Sequence, residues 1–209
     1  MEVKPDYKKD SDGKSQANVE ADIKCGRKVL KEEANALLKL HKTLGSEFVD
    51  ALDLLFATKG RVIVSGMGKS GHVGRKIAAT LASTGTPAFF IHPSEASHGD
   101  LGMIVEGDLI LALSNSGESI ELSDIISHAK RFEIPLIIIT SKKNSRLSQA
   151  SDVSLVIPES TEACPHGLAP TTTTTAMLAL GDAISVALLE RKKFSPNDFH
   201  LLHPGGKLG

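Results

Sequence analysis

The sequence predicts an α/β fold, a doubly wound sandwich with a central parallel sheet flanked by helices and preceded by N-terminal helices. Five short apolar runs, at residues 62–64, 88–91, 109–113, 136–139 and 153–157, read as continuous hydrophobics. Helical stretches lie between most of them, at 72–83, 118–132 and a short one around 145–150. Strands buried on both faces and alternating with helices imply a parallel sheet covered on two sides. A length of 209 residues suffices for one large domain of this kind with a well-buried core.

Residues 1–18 are rich in Lys, Asp, Ser and Gly and are expected to be disordered, leaving one domain over 19–209. Helical patterning begins near Val19, and Ile23, Leu30, Ala34, Leu37 and Leu38 fall largely on one face. Gly45 and Ser46 break that helix and cap the next, which carries Phe48, Val49, Leu52 and Leu55 toward Lys59 and Gly60. From Arg61 onward the strand–helix alternation takes over. The last long helix is expected over about 170–190, and the threonine run 171–175 opens it. A polar coda follows. No internal repeat is present.

Composition excludes several function classes. A formal net charge of −1 leaves no electrostatic footprint for nucleic acid or a membrane surface. Trp is absent and aromatics are scarce, which disfavours a stacking platform for single strands. The polar N-terminus does not read as a signal peptide, and no apolar run of transmembrane length stands out. Cys25 and Cys164 lie far apart without a C-x-x-C pattern, so both are expected as free thiols in a reducing cytoplasm.

In a doubly wound sheet, ligands collect at the carboxyl ends of the strands, so the strand-to-helix turns are the places to look. The most informative is Ser114-Asn-Ser-Gly-Glu-Ser119, which follows an apolar strand and opens a helical pattern. Ser114, Ser116 and Ser119 set three hydroxyls beside the unpaired N–H groups of a helix start, and Gly117 lets the backbone come close. That arrangement suits a phosphate; it equally suits a serine-rich turn that caps an ordinary helix. The loop has no lysine, so it is not the nucleotide loop G-x-x-x-x-G-K-[ST].

The first turn, Ser65-Gly-Met-Gly-Lys-Ser-Gly-His72, contains G-x-G-x-x-G at 66, 68 and 71. No acidic residue ends the following strand, where His92-Pro93 stands instead, so the ribose contact of an NAD site is missing. Lys69 lies in the mouth of this turn, as a surface lysine or as a contact for an anion or carbonyl. The second turn, residues 92–102, holds two histidines and two carboxylates; His92 and His98 lack the i, i+4 spacing of helical zinc ligands. Glu118 and Glu121 follow the serine loop, where acidic residues often serve only as dipole partners. The fourth turn, residues 161–171, is a second small-residue loop entering a helix.

Read in order, Gly66-Met-Gly-Lys-Ser-Gly-His72, Ser94-Glu-Ala-Ser-His-Gly-Asp100, Ser114-Asn-Ser-Gly-Glu-Ser119, Glu162-Ala-Cys-Pro165, Gly167-Leu-Ala-Pro170 and His203-Pro-Gly-Gly-Lys-Leu-Gly209 resemble the sugar isomerase (SIS) domain of D-arabinose-5-phosphate isomerases. The resemblance covers about residues 20–209. It implies the SIS fold, a homotetramer with active sites near subunit interfaces, and the interconversion of D-ribulose 5-phosphate and D-arabinose 5-phosphate, the first step toward the sugar Kdo. It assigns phosphate binding to Ser114, Ser116 and Ser119, with Ser70 and Thr171 as weaker neighbours, and offers Lys69, His98, Glu121, Glu162 and His203 as catalytic candidates. Longer members of that family carry two cystathionine-β-synthase-type modules after the His-Pro-Gly-Gly-x-Leu-Gly motif, at which this chain stops.

Aldose–ketose isomerisation needs groups of these types. A carboxylate shuttles the proton between C1 and C2, a histidine serves ring opening or oxygen proton transfer, and an ammonium stabilises the enediolate oxygen. Glu121 is assigned as the base, with Glu162 as its rival. No cofactor and no metal are required; inhibitory zinc at His98 and nearby carboxylates is a further expectation. Other functions for the same pattern are a non-catalytic phosphosugar-binding regulator and a sedoheptulose-7-phosphate isomerase.

Overall fold

The computed structural model describes residues 16–205. Helices α1 (Gln16–Thr43) and α2 (Ser46–Ala57) lead into strand β1 (Val62–Gly66), helix α3 (Gly68–Ser83) and strand β2 (Ala88–Ile91). A one-turn helix α4 (Pro93–Ala96) and a 3₁₀ turn at Asp100–Met103 return the chain to β3 (Leu109–Leu113). Beyond it come a 3₁₀ turn at Ile120–Leu122, α5 (Ser123–Arg131), β4 (Leu136–Thr140), α6 (Arg146–Ala150) and β5 (Val153–Val156). Helices α7 (Thr172–Arg191) and α8 (Pro196–Leu202) follow.

The five strands form one sheet in the order β2-β1-β3-β4-β5, and every pairing is parallel. β1, β3 and β4 are buried at every position, while the edge strands β2 and β5 are half-buried. Strand side chains alternate between two apolar layers. Val62, Val64, Leu109, Leu111, Leu113, Ile137 and Ile139 face the layer built with α2, α3 and α7, whereas Ile63, Ile110, Ala112, Leu136 and Ile138 face α5 and α6. The predicted doubly wound sandwich is the fold observed.

Elements differ from the sequence reading where packing decides. The tail expected over 1–18 lies outside the described residues as far as position 15, and 16–18 belong to α1. On α1 the chain's own core takes Ala36 and Leu40; Ile23, Leu30 and Leu38 of the predicted face are 48%, 69% and 60% exposed. Only the second half of this helix has the sheet's helices beneath it. α3 begins at Gly68 rather than at 72, which puts Lys69 and Ser70 on its first turn. The helix expected from Glu118 begins as the 3₁₀ turn, so Glu121 lies there and α5 starts only at Ser123. Within the polar coda, α8 starts on a capping box: Ser195 Oγ accepts from the Asp198 N–H, and the Asp198 carboxylate accepts from the Ser195 N–H.

α7 revises the reading that no segment has transmembrane length. Its length and mean hydropathy of 1.4 would allow it to cross a bilayer, yet half of that stretch is buried inside the chain. Met177, Leu180, Ile184 and Leu188 pack into the first apolar layer. Gly181 lets α3 approach closely, since a Cβ there would collide with Ile77.

Candidate functional site

The strand order reverses between β1 and β3, so the crevice of this sheet opens at their carboxyl ends. Gly66 ends β1 in register with Leu113, the last residue of β3. A side chain at Gly66 would meet the Leu113 carbonyl at 3.0 Å and the Ser70 backbone at 3.2 Å. Gly68 adopts φ +58°, and a Cβ at Gly71 would strike the Gly66 carbonyl oxygen at 2.5 Å. These glycines therefore allow a tight turn and close helix–strand packing. They bring the first turn of α3, with exposed Lys69 and half-buried Ser70, next to the carboxyl end of β3, where the serine loop begins.

That loop is a compact hydroxyl cluster. Ser114 is buried and Ser116 exposed. Ser114 and Ser119 share a hydrogen bond of 2.7 Å between their hydroxyls. The Gly117 N–H donates to Ser114 Oγ at 3.1 Å, and the Glu118 N–H to Ser116 Oγ at 3.1 Å. Gly117 sits at φ +65°, and a Cβ there would collide with Ser145.

The segment after β4 holds the loop from behind, a set of contacts that local sequence does not disclose. The Asn115 carbonyl accepts from the Ser141 N–H at 3.1 Å, Ser141 Oγ at 2.8 Å and Thr140 Oγ1 at 3.2 Å. The Gly117 carbonyl accepts from the Leu147 N–H at 3.0 Å. Arg146 donates through its N–H to the Glu118 carboxylate and through its guanidinium to Ser123 Oγ and the Ser119 carbonyl. Glu118 thus acts in structure, as a dipole-type partner of the α6 start.

Glu162 has a comparable structural engagement. Its carboxylate accepts from the Thr171 N–H at 2.7 Å, Thr171 Oγ1 at 3.1 Å, the Thr173 N–H at 3.4 Å and Thr173 Oγ1. Burial pushes its pKa up, but the hydrogen bonds from Thr173 and Thr171 prevail and hold it below the ordinary glutamate value. The result is an ionised carboxylate seated on the start of α7. One turn further along that helix, Met177 Sδ lies 3.8 Å from Ser70 Oγ, which ties the Glu162–Thr173 cluster to the turn after β1.

The remaining candidates are less gathered. His98 is exposed just beyond α4, which follows edge strand β2, while His92 Nδ1 accepts from the Ser94 N–H and caps α4. Glu121 is exposed on the 3₁₀ turn after the serine loop. His203 stacks on Phe199 with ring centroids 3.9 Å apart, and its Nδ1 lies 2.7 Å from the Phe199 carbonyl. In the single chain these contacts do not join His203 to Lys69, Glu121 or Glu162. Gly206, Lys207, Leu208 and Gly209 of the terminal motif lie outside the described residues. Among the described residues, no group of three or more His, Cys, Asp and Glu side chains could hold a metal ion.

Comparison with known proteins identifies the family. The family model described as SIS domain matches residues 55–187, from the end of α2 through most of α7. An arabinose 5-phosphate isomerase KdsD of Shigella flexneri is 52% identical over 185 residues, 88% of this chain and 56% of its own length. The KdsD of Yersinia pestis is 54% identical over the same shares. The chain therefore spans little more than half the length of the curated relatives it matches. An Escherichia coli CFT073 protein solved in complex with A5P superimposes with a TM-score of 0.85 at 40% identity, over 91% of this chain and all of that one. With the SIS model matching well over half of its length, the chain belongs to the SIS domain family.

Proposed function

We propose that this chain is an aldose–ketose isomerase that interconverts D-ribulose 5-phosphate and D-arabinose 5-phosphate through an enediol, at the entry to Kdo biosynthesis. The observation that carries the reading is the position of the Ser114–Ser119 hydroxyl loop at the β1/β3 switch point, across from the glycine-rich turn that leads into Lys69 and Ser70. Identity of about half to proteins named arabinose 5-phosphate isomerase, and a relative solved with A5P, support the choice of sugar phosphate.

In this reading Ser114, Ser116 and Ser119 hold the phosphate with Ser70 as a neighbour, whereas Thr171, whose N–H and hydroxyl both donate to Glu162, is committed to that carboxylate instead. The Lys69 ammonium stabilises the developing enediolate oxygen. Glu121 moves the proton between C1 and C2, because its exposed carboxylate has no helix start to hold, whereas Glu162 is bonded to α7. His98 and His203 are the groups for ring opening and oxygen proton transfer. His203 acts in the site of a neighbouring subunit of a homotetramer. Val19, Ile23, Leu30 and Leu38 leave an apolar stripe on α1 for such packing. Two free thiols, Cys25 and Cys164, agree with a cytoplasmic setting.

The test is one coupled assay with ribulose 5-phosphate, arabinose 5-phosphate and sedoheptulose 7-phosphate, alongside binding of unphosphorylated arabinose. Turnover of the two pentose phosphates and much weaker binding of arabinose are expected. Turnover of the heptulose alone would make the chain a sedoheptulose-7-phosphate isomerase. Binding without turnover would make it a phosphosugar sensor.

A further inference from the structure

Three carbonyls of the serine loop are drawn toward the same neighbour. Asn115 is drawn by Thr140 and Ser141, Gly117 by the Leu147 N–H, and Ser119 by the Arg146 guanidinium. A trans peptide is planar, so the carbonyl of one residue and the N–H of the next point in opposite directions. The described residues contain no cis peptide. Each drawn carbonyl therefore turns the following N–H, that of Ser116, Glu118 or Ile120, away from the β4–α6 segment. The Ser116 N–H accordingly carries no hydrogen bond among the described residues, and Ser116 is exposed. Asn115 is the most firmly held of the three, with donors at 2.8, 3.1 and 3.2 Å on one oxygen. Thr140 and Ser141, which supply them, are buried.

We propose that Thr140 and Ser141 are positioning residues for the sugar phosphate: by fixing the Asn115 carbonyl inward, their hydroxyls aim the Ser116 N–H at the phosphate oxygens. Neither touches the ligand. The proposal rests on the reading of Ser114–Ser119 as the phosphate loop. It makes β4, which carries none of the sequence-level candidates, part of the binding apparatus.

The test compares the full chain with Thr140→Val/Ser141→Ala, which removes both hydroxyls at nearly constant volume. Thr140→Ser/Ser141→Thr serves as the variant that keeps them. Inorganic phosphate is titrated into ¹⁵N-labelled protein, and the Ser116 amide resonance is followed. In the parent that resonance shifts. In the hydroxyl-free variant the shift is lost, and both the Kd for phosphate and the KM for arabinose 5-phosphate rise about tenfold, the worth of one hydrogen bond to a charged group. kcat stays within about threefold, since the contact is made equally in ground and transition states. The hydroxyl-keeping variant behaves as the parent. Should the double variant not fold, Ser141→Ala alone is expected to raise both constants about threefold, one of three donors being lost. A folded variant with unchanged Kd and an intact Ser116 shift overturns the positioning role alone. Equal weakening in the hydroxyl-keeping variant overturns it too, because packing would then be the cause. A parent in which no amide of 114–119 responds to phosphate overturns the phosphate-loop reading, and this proposal with it.

Discussion

At the amino end of the sheet, the Asp108 carboxylate is buried just before β3 and accepts from the Arg61 and Val105 N–H groups and from the Arg61 guanidinium. Asp152, just before β5, accepts from the Leu136 N–H at the start of β4. At the carboxyl end, Lys69, His98, Ser116 and Glu121 are exposed on loops and first turns. One sheet thus treats its polar groups in two ways. The carboxylates at the amino end lock neighbouring strand starts together, whereas the carboxyl end leaves these four side chains exposed above buried Ser114, Thr140 and Ser141. Glu162 belongs to both descriptions: it follows the carboxyl end of β5, yet its carboxylate is bonded to the α7 start. The contrast teaches that a carboxylate's role here follows from what already satisfies it, more than from its position in a motif.

The sharpest way to break this comparison is Glu121→Gln. If the carboxyl end does chemistry and little folding, turnover falls on the order of 10²–10⁴-fold, the usual worth of a positioned acid–base group, with melting temperature and substrate affinity held. Exchange of the C2 proton with deuterated solvent should fall in parallel. Parent-like exchange would move the base to Glu162.

Asp108→Ala is the mirror experiment. Burial alone would raise the Asp108 pKa, but its bonds to Arg61 and Val105 lower it, so the carboxylate is ionised and fully partnered. Its removal leaves the Arg61 and Val105 N–H groups without their acceptor and should cost about 3 kcal/mol in denaturant unfolding. The turnover of the folded fraction should match the parent. A large loss of kcat in the folded protein would erase the distinction between the two ends.

Glu162→Gln sharpens the case between them. Because its pKa is lowered on folding, ionised Glu162 stabilises the native state above the unfolded value of about 4.3, and that contribution disappears as pH falls through the lower, folded value. The variant should be about 1 kcal/mol less stable than the parent at pH 7, and the gap should close as the pH drops below about 4. Unfolding curves at several pH values check this. A gap that is constant with pH would assign the loss to packing instead.

Much of the fold was legible because burial of a central parallel strand leaves a local trace. Runs such as Leu109–Leu113 are apolar throughout, and the observed strands coincide with them to within a residue or two. α8 was also within reach: Ser195, Pro196 and Asp198 form a capping pattern with proline at the first helical position, a signal overshadowed by the polar composition around it. The serine loop could be located from its hydroxyls and Gly117, and Lys69 from its glycine-rich turn.

Other features had no local trace. Which face of α1 meets the core depends on where α7 lies, so the apolar pattern could not tell buried Ala36 and Leu40 from exposed Leu30 and Leu38. The engagement of Glu162 by Thr171 and Thr173 needed the loop after β5 to fold back on the start of α7. The clasp of Thr140, Ser141 and Arg146 on residues 115–119 needed β4 to lie beside β3. The sequence by itself determined the strands, the parallel sheet and the location of the serine-rich and glycine-rich turns, because periodicity, glycine and hydroxyl content are properties of short segments. Only the tertiary structure decided which carboxylates are committed to backbone N–H groups and which backbone groups the serine loop turns outward, because hydrogen bonds between distant segments exist only once the sheet has brought them together.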